Sequence, residues 1–232
     1  MNASFVRRHL TALLVASLCL PPFGYTIAQT TQTAPAKEQV ESQKPDVVFV
    51  PTPQAVVDKM LEMAEVKKGD VVYDLGCGDG RIVVTAAKKY GVKAVGFDID
   101  PKRIKEARAN VKQNRVGHLV DIRQADIFKL DLREATVVTL YLLPELNMKL
   151  MPQLEKLKPG SRIVSHEFDM RGAKPVQVYR MSEDDIPYGD YHDEYGYGYE
   201  EFYDPPAIYK WIVPWEKDTP KPKGASSPPR DE

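Results

Sequence analysis

Asp70-Val71-Val72-Tyr73-Asp74-Leu75-Gly76-Cys77-Gly78-Asp79-Gly80-Arg81 runs from a short apolar segment into three glycines at alternate positions. A short apolar run that ends in glycines reads as a buried strand followed by a tight turn. Glycines at that point let a ligand approach the backbone where a β-carbon would collide. The spacing is G-x-G-x-G, and Arg81 stands where a dinucleotide fingerprint has its third glycine, which counts against NAD and FAD. No Gly-Lys-Ser/Thr follows, so the turn is not a Walker loop either.

On either side of this turn, strand and helix patterns alternate. Thr52 and Pro53 read as the N-cap and first-turn proline of a helix with Val56, Val57, Met60, Leu61 and Ala64 on one face. Residues 80–90 read as a helix, 92–97 as a strand, and 100–114 as a helix capped by Asp100. Strands are expected at 119–124, 135–142 and 162–168, with a helix over 144–157 stopped by Pro159-Gly160. This order predicts a mostly parallel sheet with helices on both faces. Two late apolar runs, 176–179 and 208–213, have no long helix between them and are expected to add an antiparallel edge pair.

Ligands of open α/β sheets bind at the carboxyl ends of the strands. Asp98 ends the second strand, twenty residues after Gly78. A carboxylate there can accept both hydrogen bonds of a ribose diol and would repel a 2′-phosphate. Asp126 follows the third strand, where it can take a hydrogen bond from an adenine amino group or simply cap the next turn. Ile99 and Ile127 are placed to clamp a flat purine. Cys77 reads as a small space-filler rather than a nucleophile, because no His or Asn accompanies it. Arg81 has a plain structural reading as the partner of a nearby carboxylate.

The composition bounds the rest. Of 232 residues, 43% are hydrophobic and 28% charged, which suits one globular domain. The net charge of −1 gives no overall basic field for a nucleic-acid partner, and two cysteines are too few for a disulfide scaffold. Residues 1–28 combine Arg7 and Arg8 with an apolar stretch from Leu10 to Leu20, then Thr26 and Ala28 at −3 and −1 of a cut. That is the pattern of a secretory signal, and it predicts export to the periplasm, or a membrane tether where the segment stays uncleaved. Cleavage would leave Cys77 as the single cysteine and therefore no internal disulfide. Residues 29–46 read as a polar tether, 47–215 as the folded domain and 216–232 as a frayed tail. Residues 183–204 hold nine acidic residues and six tyrosines with no Lys or Arg. That segment suits docking of a lysine-rich partner, and a plain solvated loop is the alternative.

Residues 71–81 (VVYDLGCGDGR), 96–101 (GFDIDP) and 124–128 (QADIF) resemble the first three motifs of class I S-adenosylmethionine-dependent methyltransferases. Residues 50–53 (VPTP), 136–147 (TVVTLYLLPELN) and 157–170 (LKPGSRIVSHEFDM) are more narrowly similar to the FAM173-type protein-lysine methyltransferases. The likeness runs from Val50 to Met170, with a weaker echo over 209–214. It implies a Rossmann-like class I fold, with S-adenosyl-L-methionine as cofactor. It also implies cofactor contacts at Thr52, Asp74, Gly76, Cys77, Gly78, Asp98, Ile99, Asp126, Ile127 and Leu142. No metal is expected.

Methyl transfer is an in-line displacement in which the cofactor supplies the electrophile, so the protein positions, desolvates and accepts a proton. Candidate groups at the ends of strands four and five are Tyr141, Glu145, Asn147, His166, Glu167 and Asp169. By resemblance the turn at 141–145 lines the methyl-acceptor channel, with Tyr141 as a wall and Glu145 as the amine acceptor. The alternative for Glu145 is an ordinary acid near a helix N-terminus. The resemblance implies a lysine-bearing protein partner, membrane-associated in the case of mitochondrial family members. A small-molecule or lipid methyltransferase and a non-catalytic binder of the same nucleoside stay open as alternatives. The export signal, tether and acidic segment all depart from the family pattern, and none of them touches the cofactor motifs.

Overall fold

The structure, a computed structural model, describes residues 49–185 and 206–218. Helix α1 (Gln54–Met63) precedes β1 (Val71–Leu75), α2 (Arg81–Tyr90), β2 (Lys93–Asp98), α3 (Pro101–Gln113) and β3 (Val120–Gln124). After these come β4 (Val137–Leu140), α4 (Pro144–Leu154), β5 (Arg162–His166), β6 (Gln177–Arg180) and β7 (Ala207–Ile212). The seven strands form one sheet in the order β3-β2-β1-β4-β5-β7-β6. Strands β1 to β5 are parallel, and β7 runs antiparallel to both β5 and β6. The expected parallel sheet with an antiparallel edge pair is what the chain forms.

Alternate strand residues divide between two apolar layers. Val72, Ala94, Ile122, Val137 and Val164 pack with α1, α2 and α3, while Tyr73, Leu75, Phe97, Val138, Leu140 and Ile163 pack with α4. Burial on both faces explains why these strands read as continuous apolar runs. Strand order reverses between β1 and β4, so the crevice at their carboxyl ends is the expected ligand position. At the opposite end Arg162 forms a partly buried ion pair with Asp70, and Asp70 also accepts from the Thr136 hydroxyl at 2.7 Å. That knot ties β5, β1 and β4 together below the crevice.

Several boundaries differ from the sequence expectation. Pro53, not Thr52, occupies the N-cap of α1, and no side chain caps that helix. Thr52 is buried instead. Strand β4 covers only part of 135–142, because the backbone leaves the sheet at Tyr141 to reach the cleft. Helix α4 ends at Leu154, short of the expected 157, and the chain closes with tighter i→i+3 bonds at Lys156 and Leu157. Strand β5 stops at His166, where Glu167 takes a φ of 66°.

At 216, where a tail was expected, the chain is still tied to the fold. The Glu216 carbonyl accepts from Lys174 N–H, and Asp218 N–H donates to the Gly172 carbonyl, so the fold runs to at least 218. Likewise 183–185 form a 3-10 turn, with Asp185 accepting from Tyr179, rather than the start of a free acidic loop. The expected signal, the tether, residues 186–204 of the acidic segment and the tail from 219 lie outside the described residues.

Candidate active site

The carboxyl ends of β1, β2, β3 and β4 surround a cleft enclosing about 990 Å³, open solvent at its mouth included. From β1 come Asp74, Gly76 and Cys77; from the end of β2, Asp98 and Ile99; after β3, Asp126 and Ile127; after β4, Tyr141 and Leu142. Thr52 closes one side from the segment ahead of α1. The sequence therefore brings nine of its ten expected cofactor contacts, and one of its two expected catalytic residues, to one cavity.

Gly78 is the expected contact that does not line it. Its N–H donates to Asp98 Oδ2 at 2.9 Å, and the ring of Phe49 covers its α-carbon. Its φ of 53° is costly for any residue with a β-carbon. Asp98 also accepts at Oδ1 from Asp100 N–H at 2.9 Å. Two backbone donors thus fix the carboxylate, and each oxygen keeps a lone pair for a ligand hydroxyl. Burial raises its pKa despite those donors.

Asp74 is fully enclosed and accepts from the Thr139 hydroxyl at 2.7 Å. Burial, with smaller contributions from the charges of Asp98 and Asp79, pushes its pKa up to about 7. A cationic ligand would relieve that cost, whereas a pyrophosphate would add to it. Asp126 has the capping role weighed for it, its Oδ1 accepting from Phe128 N–H at 3.0 Å to cap a 3-10 turn, and the residue also faces the cleft. Cys77 is a buried space-filler, its Sγ within 2.9 Å of where a β-carbon on Gly96 would lie. Burial raises its thiol well above the ordinary range, away from thiolate chemistry.

Tyr141 is half-buried between two rings, His166 at 4.0 Å and Phe168 at 6.2 Å between centroids. Burial and the charge of Glu167 push its phenol up to about 12, so it stays protonated. His166 is 1% exposed, and neither ring nitrogen has a hydrogen-bond partner among the described residues. Burial lowers its pKa to about 3, so the imidazole is neutral. Asn147, also buried, donates from Nδ2 to the Phe168 and Asp169 carbonyls at 3.3 Å and pins the turn after β5 to α4.

Glu145 corrects the sequence expectation. It is exposed on the first turn of α4 and does not line the cleft, so it fits the alternative role of an acid favoured by the helix N-terminus.

Sequence reasoning missed Phe49, Val50, Pro51 and Arg103, which wall the cleft on the side of the glycine turn. The Arg103 guanidinium lies 4.6 Å from the centre of the Phe49 ring. Arg81 Nη1 donates to the Thr52 carbonyl at 2.8 Å while its Nη2 pairs with Asp79. One local sign was legible: Pro51 and Pro53 fix an extended backbone ahead of α1.

A family profile described as ANTKMT methyltransferase domain matches residues 74–177. A protein-lysine N-methyltransferase of Saccharolobus islandicus (strain REY15A) is 52% identical over 144 residues, covering 61% of this chain and 89% of that protein. An adenine nucleotide translocase lysine N-methyltransferase of Mus musculus is 30% identical over 148 residues, covering 63% of this chain and 64% of its own length. Among solved structures, an RNA methyltransferase from Salinibacter ruber in complex with S-adenosyl-L-homocysteine is 44% identical. It covers 71% of this chain and 94% of that one, with a TM-score of 0.61. The cleft, its acidic strand ends and these likenesses agree: the chain belongs to the ANTKMT-type protein-lysine methyltransferase family and is an S-adenosylmethionine-dependent methyltransferase.

Proposed function

We propose that the protein transfers methyl groups to the nitrogen of lysine side chains on a protein acceptor. The likeness to the Saccharolobus protein, which this chain covers almost from end to end, carries that reading. The residues fit the cofactor on their own terms. Asp98 keeps lone pairs that would take ribose hydroxyls, Asp126 would accept from the adenine amino group, and Ile99 and Ile127 would hold the purine between them. Asp74 supplies negative charge, free of any cationic partner among the described residues, toward a positively charged ligand. When bound, S-adenosylmethionine supplies a methyl group activated by its sulfonium. Tyr141, clamped by its two ring neighbours, walls the acceptor end and offers a neutral phenol as a hydrogen-bonding group.

Residues 1–28 support export and a periplasmic or membrane-tethered location, and a membrane-associated acceptor is consistent with that address. The acidic, tyrosine-rich segment leaves the described fold at Asp185 and rejoins it at Pro206. Glu167 N–H donates to the Ala207 carbonyl, so the rejoining strand begins beside the turn that holds Tyr141. This supports docking of a lysine-rich acceptor near the cleft.

The likeness to the Salinibacter RNA methyltransferase favours a second acceptor class, RNA. One experiment decides between them. The full chain is incubated with methyl-labelled donor and either lysine-rich histones or total RNA, and the labelled product is hydrolysed and identified. Methyl-lysine is the expected product. Label in nucleosides alone, or in neither, would overturn the proposal.

A further inference from the structure

Helix α3 carries charge of one sign on its outer face. Five of its thirteen residues are Lys or Arg, and Glu106 is its one acid. Arg103 takes that acid, pairing with Glu106 and lying 3.9 Å from Asp100. Lys102, Lys105, Arg108 and Lys112 are exposed, and none forms an ion pair with a described residue. Arg108 donates only to the uncharged Ile122 carbonyl, at 3.0 Å. At 100° per residue these four side chains fall within about 120° of arc and along about 15 Å of helix. Ile104, Ala107 and Val111 form its buried face.

Elsewhere on the surface some cations have acidic partners, and others, Lys68, Lys156 and Lys158 among them, have none among the described residues. Lys89 pairs with Asp58, Arg123 with Asp121, Arg133 with Asp131 and Lys174 with Glu216. A row of unneutralised cations in a chain of net charge −1 is a local concentration, not a reflection of overall composition. Like charges on adjacent turns repel one another and gain nothing for the fold.

We propose that the outer face of α3 is a docking surface for the anionic headgroups of a phospholipid bilayer. Charge complementarity selects a polyanion, and the face itself selects among polyanions. Residues 101–119 contain no Phe, Tyr or Trp, so the surface has no platform on which unpaired bases stack. The helix is packed along its length on β2 and β3, so it presents a flat side rather than a free helix that enters a nucleic-acid groove. A row of lysines and arginines over a flat surface matches lipid headgroups, which reward each cation separately. The charge of α3 gives it this role whatever the methyl acceptor is.

The test is cosedimentation of the full chain with phosphatidylcholine vesicles, with and without phosphatidylglycerol, at low and high salt. Binding is expected only with the anionic lipid and is expected to weaken as salt rises. Replacing Lys102, Lys105 and Lys112 together by Gln should lower the affinity on the order of a hundredfold. The matching replacement of exposed Lys68, Lys156 and Lys158 should leave it unchanged. Three results would overturn the proposal. One is equal binding to neutral vesicles, which would point to the apolar N-terminal stretch. Another is an equal effect of the two triple variants, which would make net charge the cause. The third is tighter binding to poly-uridine RNA that the α3 variant abolishes, which would make the face a nucleic-acid surface.

Discussion

The ring of Phe49 lies directly on Gly78: a β-carbon at position 78 would stand 1.9 Å from Phe49 Cε2. The segment ahead of α1 therefore closes over the glycine turn, and the third wall of the cleft comes from residues some thirty positions away in sequence. Gly78→Ala should destabilise the fold by about 1–3 kcal/mol, through the clash and the left-handed φ together. Denaturant unfolding of this variant and of Gly78→Ala with Phe49→Ala measures the two contributions. The double variant should recover part of the loss and keep the part due to φ.

Asp74 makes cofactor affinity depend on pH. With its pKa pushed up to about 7 in the free protein, its carboxylate is largely protonated below that value. A cationic ligand stabilises the ionised form, so affinity should rise with pH up to about 7 and level off above it. Each unit below should cost up to about tenfold. Asp74→Asn should bind more weakly and show a flat profile, as read by calorimetric titration of S-adenosylmethionine across pH.

His166 shows its titration in stability instead. The folded imidazole, held at about 3 by burial, refuses a proton that the unfolded chain accepts near its ordinary value. Stability from this group is therefore complete above about pH 6.5 and is lost as pH falls toward about 3. At about pH 5 the loss is about 2 kcal/mol. His166→Phe should keep a ring against Tyr141 and remove this dependence. Its melting temperature should therefore rise relative to that of the wild type as pH falls from 7 to 5.

Tyr141 and Glu145 separate in kinetics. Tyr141 lines the cleft between His166 and Phe168, whereas Glu145 is exposed outside it on the first turn of α4. Tyr141→Ala should lower kcat/KM for a lysine-bearing acceptor by at least about tenfold with cofactor affinity little changed. Glu145→Gln should stay within about twofold of the wild type. Steady-state transfer assays on both variants check the pair.

Much of this was legible in the sequence, for local reasons. The strands buried on both faces stand out as apolar runs, and Asp100 caps α3 by accepting from Lys102 N–H at 2.7 Å, as its place before Pro101 implied. Acids at successive strand ends identified the cofactor class because a parallel sheet brings those ends together. What stayed hidden depends on contacts between distant residues. Phe49 meets Gly78 and Arg103, and Tyr141 meets His166, only after the sheet has formed. Glu145 misled because the resemblance placed its turn at the acceptor channel, while the direction of a side chain on the first helical turn is set by packing.

Placement of the methyl donor across the glycine turn and Asp98 comes down to one calorimetric comparison. S-adenosylmethionine is titrated into the wild-type protein and into Asp98→Ala. Asp98 is held by the Gly78 and Asp100 N–H groups with lone pairs left for a diol, so the wild type should bind saturably. Loss of two charge-assisted hydrogen bonds should weaken the variant by about a hundredfold or more. Equal affinities of the two proteins would refute this placement.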